Sequence, residues 1–109
     1  MAMGTKQDFE DSVMLYSGTY IMECGYHATI QRDHYTYRGM LEIGKVTVPI
    51  MVKKLEEWLA DDFKSDRSNP WMFISLIGDL RDDFRIPEEI QGQLKPIVEY
   101  TIAWFNSTN

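Results

Sequence analysis

Cys24 and His27 stand three residues apart and His34 follows seven further on, a spacing that brings all three near one helical face. Thiolate and imidazole are zinc ligands, and Glu23 or Asp33 could complete a shell. The Cys24–His27 pair also has the composition of a nucleophile and its base. Structural zinc sites draw on paired Cys or Cys/His motifs, however, and this chain has one Cys and two His. A nucleophile further needs an orienting group and donors for an oxyanion, and no motif nominates them. The expectation is a packed thiol beside surface or capping histidines, with no metal, no cofactor and no catalytic residue.

Asp79, Asp82 and Asp83 fall at i, i+3 and i+4 and share a face if one helix runs through them. Such a trio could serve acid–base work or a divalent ion. Arg81 and Arg85 interleave with it, which reads as a solvated face laced by ion pairs worth about 0.2–0.5 kcal/mol each. The seven glycines are scattered with no Gly-x-Gly pair, so no phosphate-cradling loop is present. The chemistry left is recognition.

Net charge is −6, and residues 61–109 hold nine acidic against five basic groups. The excess sits in Asp61-Asp62, Asp66, Asp79, Asp82-Asp83 and Glu88-Glu89. A surface of that sign repels phosphate backbones, which argues against direct nucleic-acid binding and suits a basic protein partner. Tyrosines crowd the first third of the chain. Tyr26, Tyr35 and Tyr37 cannot all point inward from one helix, and an exposed Tyr near Arg32, Arg38 and Met40 has the make-up of an interface anchor. The candidate partner-binding residues are therefore Asp61, Asp62, Asp79, Asp82, Asp83, Tyr26, Tyr35 and Tyr37.

Helices must carry these groups. Phe9, Val13, Tyr16, Tyr20 and Cys24 form one stripe of a first segment spanning about 7–31, which Gly18 or Gly25 could break. A second segment, about 33–43, turns Tyr37, Met40 and Leu41 inward and stops at Gly44. Pro49 opens a third, about 48–60, with Val48, Met51, Val52, Leu55, Trp58 and Leu59 at helical spacing. Residues 64–69 have turn composition. Asn69-Pro70 reads as a cap and first helical position, ahead of a stripe of Phe73, Leu76, Ile77, Leu80 and Phe84. Pro87-Glu88-Glu89 restarts a helix with acids in its first turn. Gly92 and Pro96 divide that last stretch, whose helix buries Leu94, Ile97, Val98, Thr101 and Trp104 or Phe105. Period-two alternation is confined to Lys45–Val48. The fold class is all-α, one domain over 1–109, four to six helices in hairpins, with frayed ends at 1–6 and 106–109.

A 44% hydrophobic fraction in 109 residues suits one domain with its own core. The single Cys24 fits a reducing compartment. The charge-free run Ser12–Met22 has eleven residues, short of the roughly 18 that span a bilayer, and acids precede any signal-like apolar run. The expectation is a cytoplasmic protein with no membrane contact.

The phrase Gly44…Val48-Pro49…Val52…Leu55 resembles the corner and second helix of a HEAT-type repeat, over about residues 34–59, with no second copy at the 40–47-residue period. Over about 34–105, His34, Tyr37, Gly44, Val48-Pro49, Trp71, Pro87, Glu89, Gly92 and Trp104 resemble a loose set of small uncharacterised bacterial and phage helical proteins. That resemblance implies fold and carries no activity. The functional expectation is a non-catalytic protein-binding module, in its sharpest form a small acidic inhibitor or immunity-type factor against a basic partner. The alternatives are an assembly subunit of a phage or bacterial complex and a metal-dependent hydrolase.

Overall fold

The 3.6-residue periodicity closes into helices. In a computed structural model the described residues are 6–25, 29–64 and 69–108. Among them lie α1 (Lys6–Cys24), α2 (Tyr35–Ile43), α3 (Thr47–Ala60), α4 (Pro70–Leu80) and α5 (Leu94–Thr108), with no strand. The all-α expectation holds.

Glycine sets the first two stops. Gly25 at φ +84° and Gly44 at φ +91° take the backbone where a Cβ is disfavoured, and each N–H returns to a carbonyl four residues back. Gly18, the other break considered, lies inside α1 and interrupts nothing. After Gly44 the chain turns within three residues. Thr47 sends both its N–H and its hydroxyl to the Gly44 carbonyl, at 3.1 and 2.7 Å. Pro49 therefore sits in the first turn of α3, where its missing N–H has no helical acceptor to lose.

The second half departs from the periodic reading in two places. Glu88–Ile90 is one turn of 3-10 helix rather than a restarted α-helix. Pro96 does not divide the last segment: it occupies the first turn of α5, again where no N–H is required. The helix runs to Thr108, and Ser107 and Thr108 hydroxyls donate to the carbonyls of Trp104 and Phe105. Residues 1–5, Ser65–Ser68 of the expected loop and Asn109 lie outside the described residues.

Helix α3 is the hub, packing against α1, α4 and most extensively α5. Val48, Met51, Val52, Leu55 and Trp58 are buried, as their spacing implies. Met72, Phe73, Leu76 and Ile77 of α4 and Ile97, Val98, Thr101 and Trp104 of α5 join them in the core, with Val13 and Tyr20 of α1 and Tyr37 and Met40 of α2. Trp58 stacks on Phe73 with centroids 5.0 Å apart, joining the end of α3 to the start of α4. The two helices thus form a hairpin, with the end of α4 near the start of α3, where the Lys45 charge acts on Asp83.

Candidate functional site

His34 is the N-cap of α2. Its Nδ1 accepts the Thr36 backbone N–H at 3.3 Å and lies 2.6 Å from the Thr36 hydroxyl. That acceptor role assigns the ring proton to Nε2, which donates to a Glu23 carboxylate oxygen at 3.0 Å. Tyr35 donates to the other Glu23 oxygen at 2.7 Å. The Tyr35 and His34 bonds hold the Glu23 carboxyl below its ordinary range, and the Glu23 bond holds the Tyr35 phenol above its own. Both imidazole nitrogens are committed: Nδ1 caps α2 and Nε2 ties it to α1. Burial, then the charges of Glu23 and Asp33, push the Cys24 thiol up, which disfavours the thiolate that attack or zinc binding requires. Among the described residues no three His, Cys, Asp or Glu side chains could jointly hold a metal ion; His27 lies outside them.

Tyr37 is fully buried, so it offers no surface to a partner and leaves the candidate set. Its phenol donates to Asp79 of α4 and lies 2.8 Å from the Ser75 hydroxyl. The Arg32 guanidinium reaches the same Asp79 oxygen at 3.1 Å. Burial first, then the Asp79 bond, push the Tyr37 phenol far above its usual value. Asp79 is accordingly a tie between α2, the 29–34 loop and α4. The sequence reading missed Ser75. Its signal was there, since Ser75 and Asp79 form an i, i+4 polar pair in an otherwise apolar helix.

This network walls an open groove of about 650 Å³. Trp71, Ile74 and Ile86 supply apolar surface, and Arg32, Asp79 and Arg85 supply charge. No motif marked it, because its residues come from the 29–32 loop, α4, the 84–86 segment and the turn at Gly92.

The remaining aspartates stand at helix ends. Helix α4 stops at Leu80, so Asp79, Asp82 and Asp83 do not share one helical face. Arg81 turns back to grip Asp83 with two bonds of 2.9 Å, which holds that carboxyl below its usual range. Asp82 is exposed. Asp61 and Asp62 are exposed at the other end of the hairpin, and they help stop α3. Asp62 takes φ +59°, its N–H bonding the Leu59 carbonyl, while the Phe63 N–H bonds that of Trp58 at 2.8 Å. These two bonds close a Schellman-type end, with Asp in the position usually given to glycine. Tyr35 is more than half exposed, and Tyr26 lies outside the described residues.

No family model, no curated protein and no solved structure matches the chain. Among the described residues no helix is long and apolar enough to cross a membrane.

Proposed function

We propose that this protein is a non-catalytic module that binds a basic protein partner through its exposed carboxylates, in the manner of a small acidic inhibitor. One observation carries the reading: two exposed acidic pairs stand at the two ends of one helical hairpin. Asp61-Asp62 follow the C-terminus of α3, and Asp82-Asp83 follow that of α4. A helix C-terminus carries partial negative charge, so an anion there costs about 0.3–1 kcal/mol at an exposed site and a lysine would gain as much. Neither helix has a basic residue in its last turn, although Arg81 caps α4 and pairs with Asp83. Asp61, Asp62 and Asp83 also serve the local fold, so the reading rests on the exposure and like sign of the two pairs, which suit a cationic surface.

The spacing favours a macromolecule. The two pairs flank a hairpin whose second helix has 11 residues, roughly 16 Å of rise. A small cation cannot span that distance; a protein surface can. Commitment of His34, Cys24 and Tyr37 to the scaffold supports the non-catalytic part of the reading.

The test is capture of partners by the purified protein, compared with Asp61→Lys/Asp62→Lys and Asp82→Lys variants whose helical circular dichroism is intact. The reading expects a basic partner, retained at low salt, whose capture falls with each reversal and most with both. An acidic partner, or capture indifferent to both reversals, contradicts it. A second reading, an assembly subunit, draws on Leu15 and Met22, which are 69% and 86% exposed on the outer face of α1. Self-association of the purified chain that is abolished by Leu15→Glu would favour it.

A further inference from the structure

The groove beside α4 carries a charge opposite to that of the chain around it. Arg32 and Arg85 line it against the single carboxylate of Asp79, in a protein of net charge −6. Asp79 is already engaged by Arg32 and Tyr37 within the wall. Arg85 is exposed and, among the described residues, makes no ion pair. A planar guanidinium with open donors is suited to take a carboxylate through two parallel bonds.

Apolar surface from Trp71, Ile74 and Ile86 lies in the same groove. Gly78 keeps it open. A glycine inside a helix is destabilising relative to alanine. A Cβ at Gly78 would meet nothing nearer than the Phe84 ring at 4.0 Å, so core packing does not demand the glycine. The missing side chain is volume of the groove. At about 650 Å³ that volume falls within the range of small-ligand sites.

We propose that this groove binds a small amphipathic acid, its carboxylate on Arg85 and its apolar body along Trp71, Ile74 and Ile86. The site adjoins the Asp82-Asp83 end of α4 but shares no residue with either acidic pair, and its test does not require the partner they would bind. Sodium decanoate titrated into the full-length, isotopically labelled protein is the probe. Saturable NMR shifts should appear at Gly78, Gly92 and the Trp71 indole. Arg85→Gln, a surface change that leaves the fold intact, should weaken binding at least ten-fold. Decyltrimethylammonium, with the same tail and the opposite head, should bind at least ten-fold more weakly than decanoate. Gly78→Leu, with helical circular dichroism retained, should fill the groove and abolish the shifts. Absence of saturable shifts at these residues overturns the proposal. So does decanoate binding that ignores Arg85→Gln, or a cation that binds as well as the acid.

Discussion

Tyr37→Phe removes one oxygen from the contact that joins α2 to α4 and leaves the buried ring in place. No cavity forms, so the loss is confined to the bonds with Asp79 and Ser75. A hydrogen bond to a charged group contributes about 1.5–3 kcal/mol. Asp79 keeps Arg32 and its side chain is 33% exposed, so water can cover the vacated oxygen and the lower end of that range applies. The expected loss is ~1.5 kcal/mol in urea unfolding followed by circular dichroism. At about 4 °C per kcal/mol for a domain of this size, the melting temperature should fall by roughly 6 °C. Combining Tyr37→Phe with Asp79→Ala should give a coupling of about 1 kcal/mol, because the two changes delete one shared bond. The pH dependence has a definite sign. The Tyr37 phenol is raised in the folded state, so its contribution is complete below the ordinary tyrosine value of about 10 and is lost as pH rises beyond it. Wild-type protein should therefore lose stability above pH 10 faster than Tyr37→Phe. A loss under about 0.3 kcal/mol, or strictly additive single changes, would refute the assignment of this network as a tertiary tie.

Glycine substitutions should separate the two kinds of site in the helices. Gly18→Ala, in open space inside α1, should raise stability by roughly 0.5–1 kcal/mol, whereas Gly44→Ala, at φ +91°, should lower it by about 1–3 kcal/mol; thermal melts of both variants check the contrast. The Ser17 hydroxyl is buried and, among the described residues, has no hydrogen-bond partner. Ser17→Ala should consequently stabilise the protein by about 1 kcal/mol in denaturant unfolding, and a comparable loss would show that the hydroxyl is satisfied. Asp61→Lys should change fold stability by less than about 0.5 kcal/mol in denaturant unfolding, since relief of an anion at a helix C-terminus offsets loss of the bond Asp61 accepts from the Lys64 N–H.

Much of the scaffold was legible because periodicity and punctuation are local. The Val48-to-Trp58 stripe, the stop at Gly44 and Pro70 at the first position of α4 all follow from spacings of a few residues. Asn69 occupies the expected cap, yet its amide turns inward to the Met72 sulfur instead of closing the helix end. A local bond to a buried sulfur three residues on takes the place of the cap there. The end of α4 was misjudged because Phe84 continues the stripe numerically, although it is buried from the segment beyond Leu80, against Trp104. Burial, and not helix, placed that ring. Functional geometry was harder to see for the same reason. Tyr37 and Asp79 are 42 residues apart, and which tyrosine points inward depends on where α2 starts and on what α4 offers opposite it. The groove has no local signature, since separate loops contribute its arginines.

The association rate of the purified protein with its captured partner, followed across ionic strength, tests the acidic-module account most directly. Screening shortens to about 8 Å at physiological salt, so steering by Asp61-Asp62 and Asp82-Asp83 should make association fall steeply as salt rises. The Asp61→Lys/Asp62→Lys and Asp82→Lys variants should each flatten that slope while their dissociation rates change little. A wild-type association rate that does not vary with salt, or a slope the reversals leave untouched, would contradict the account.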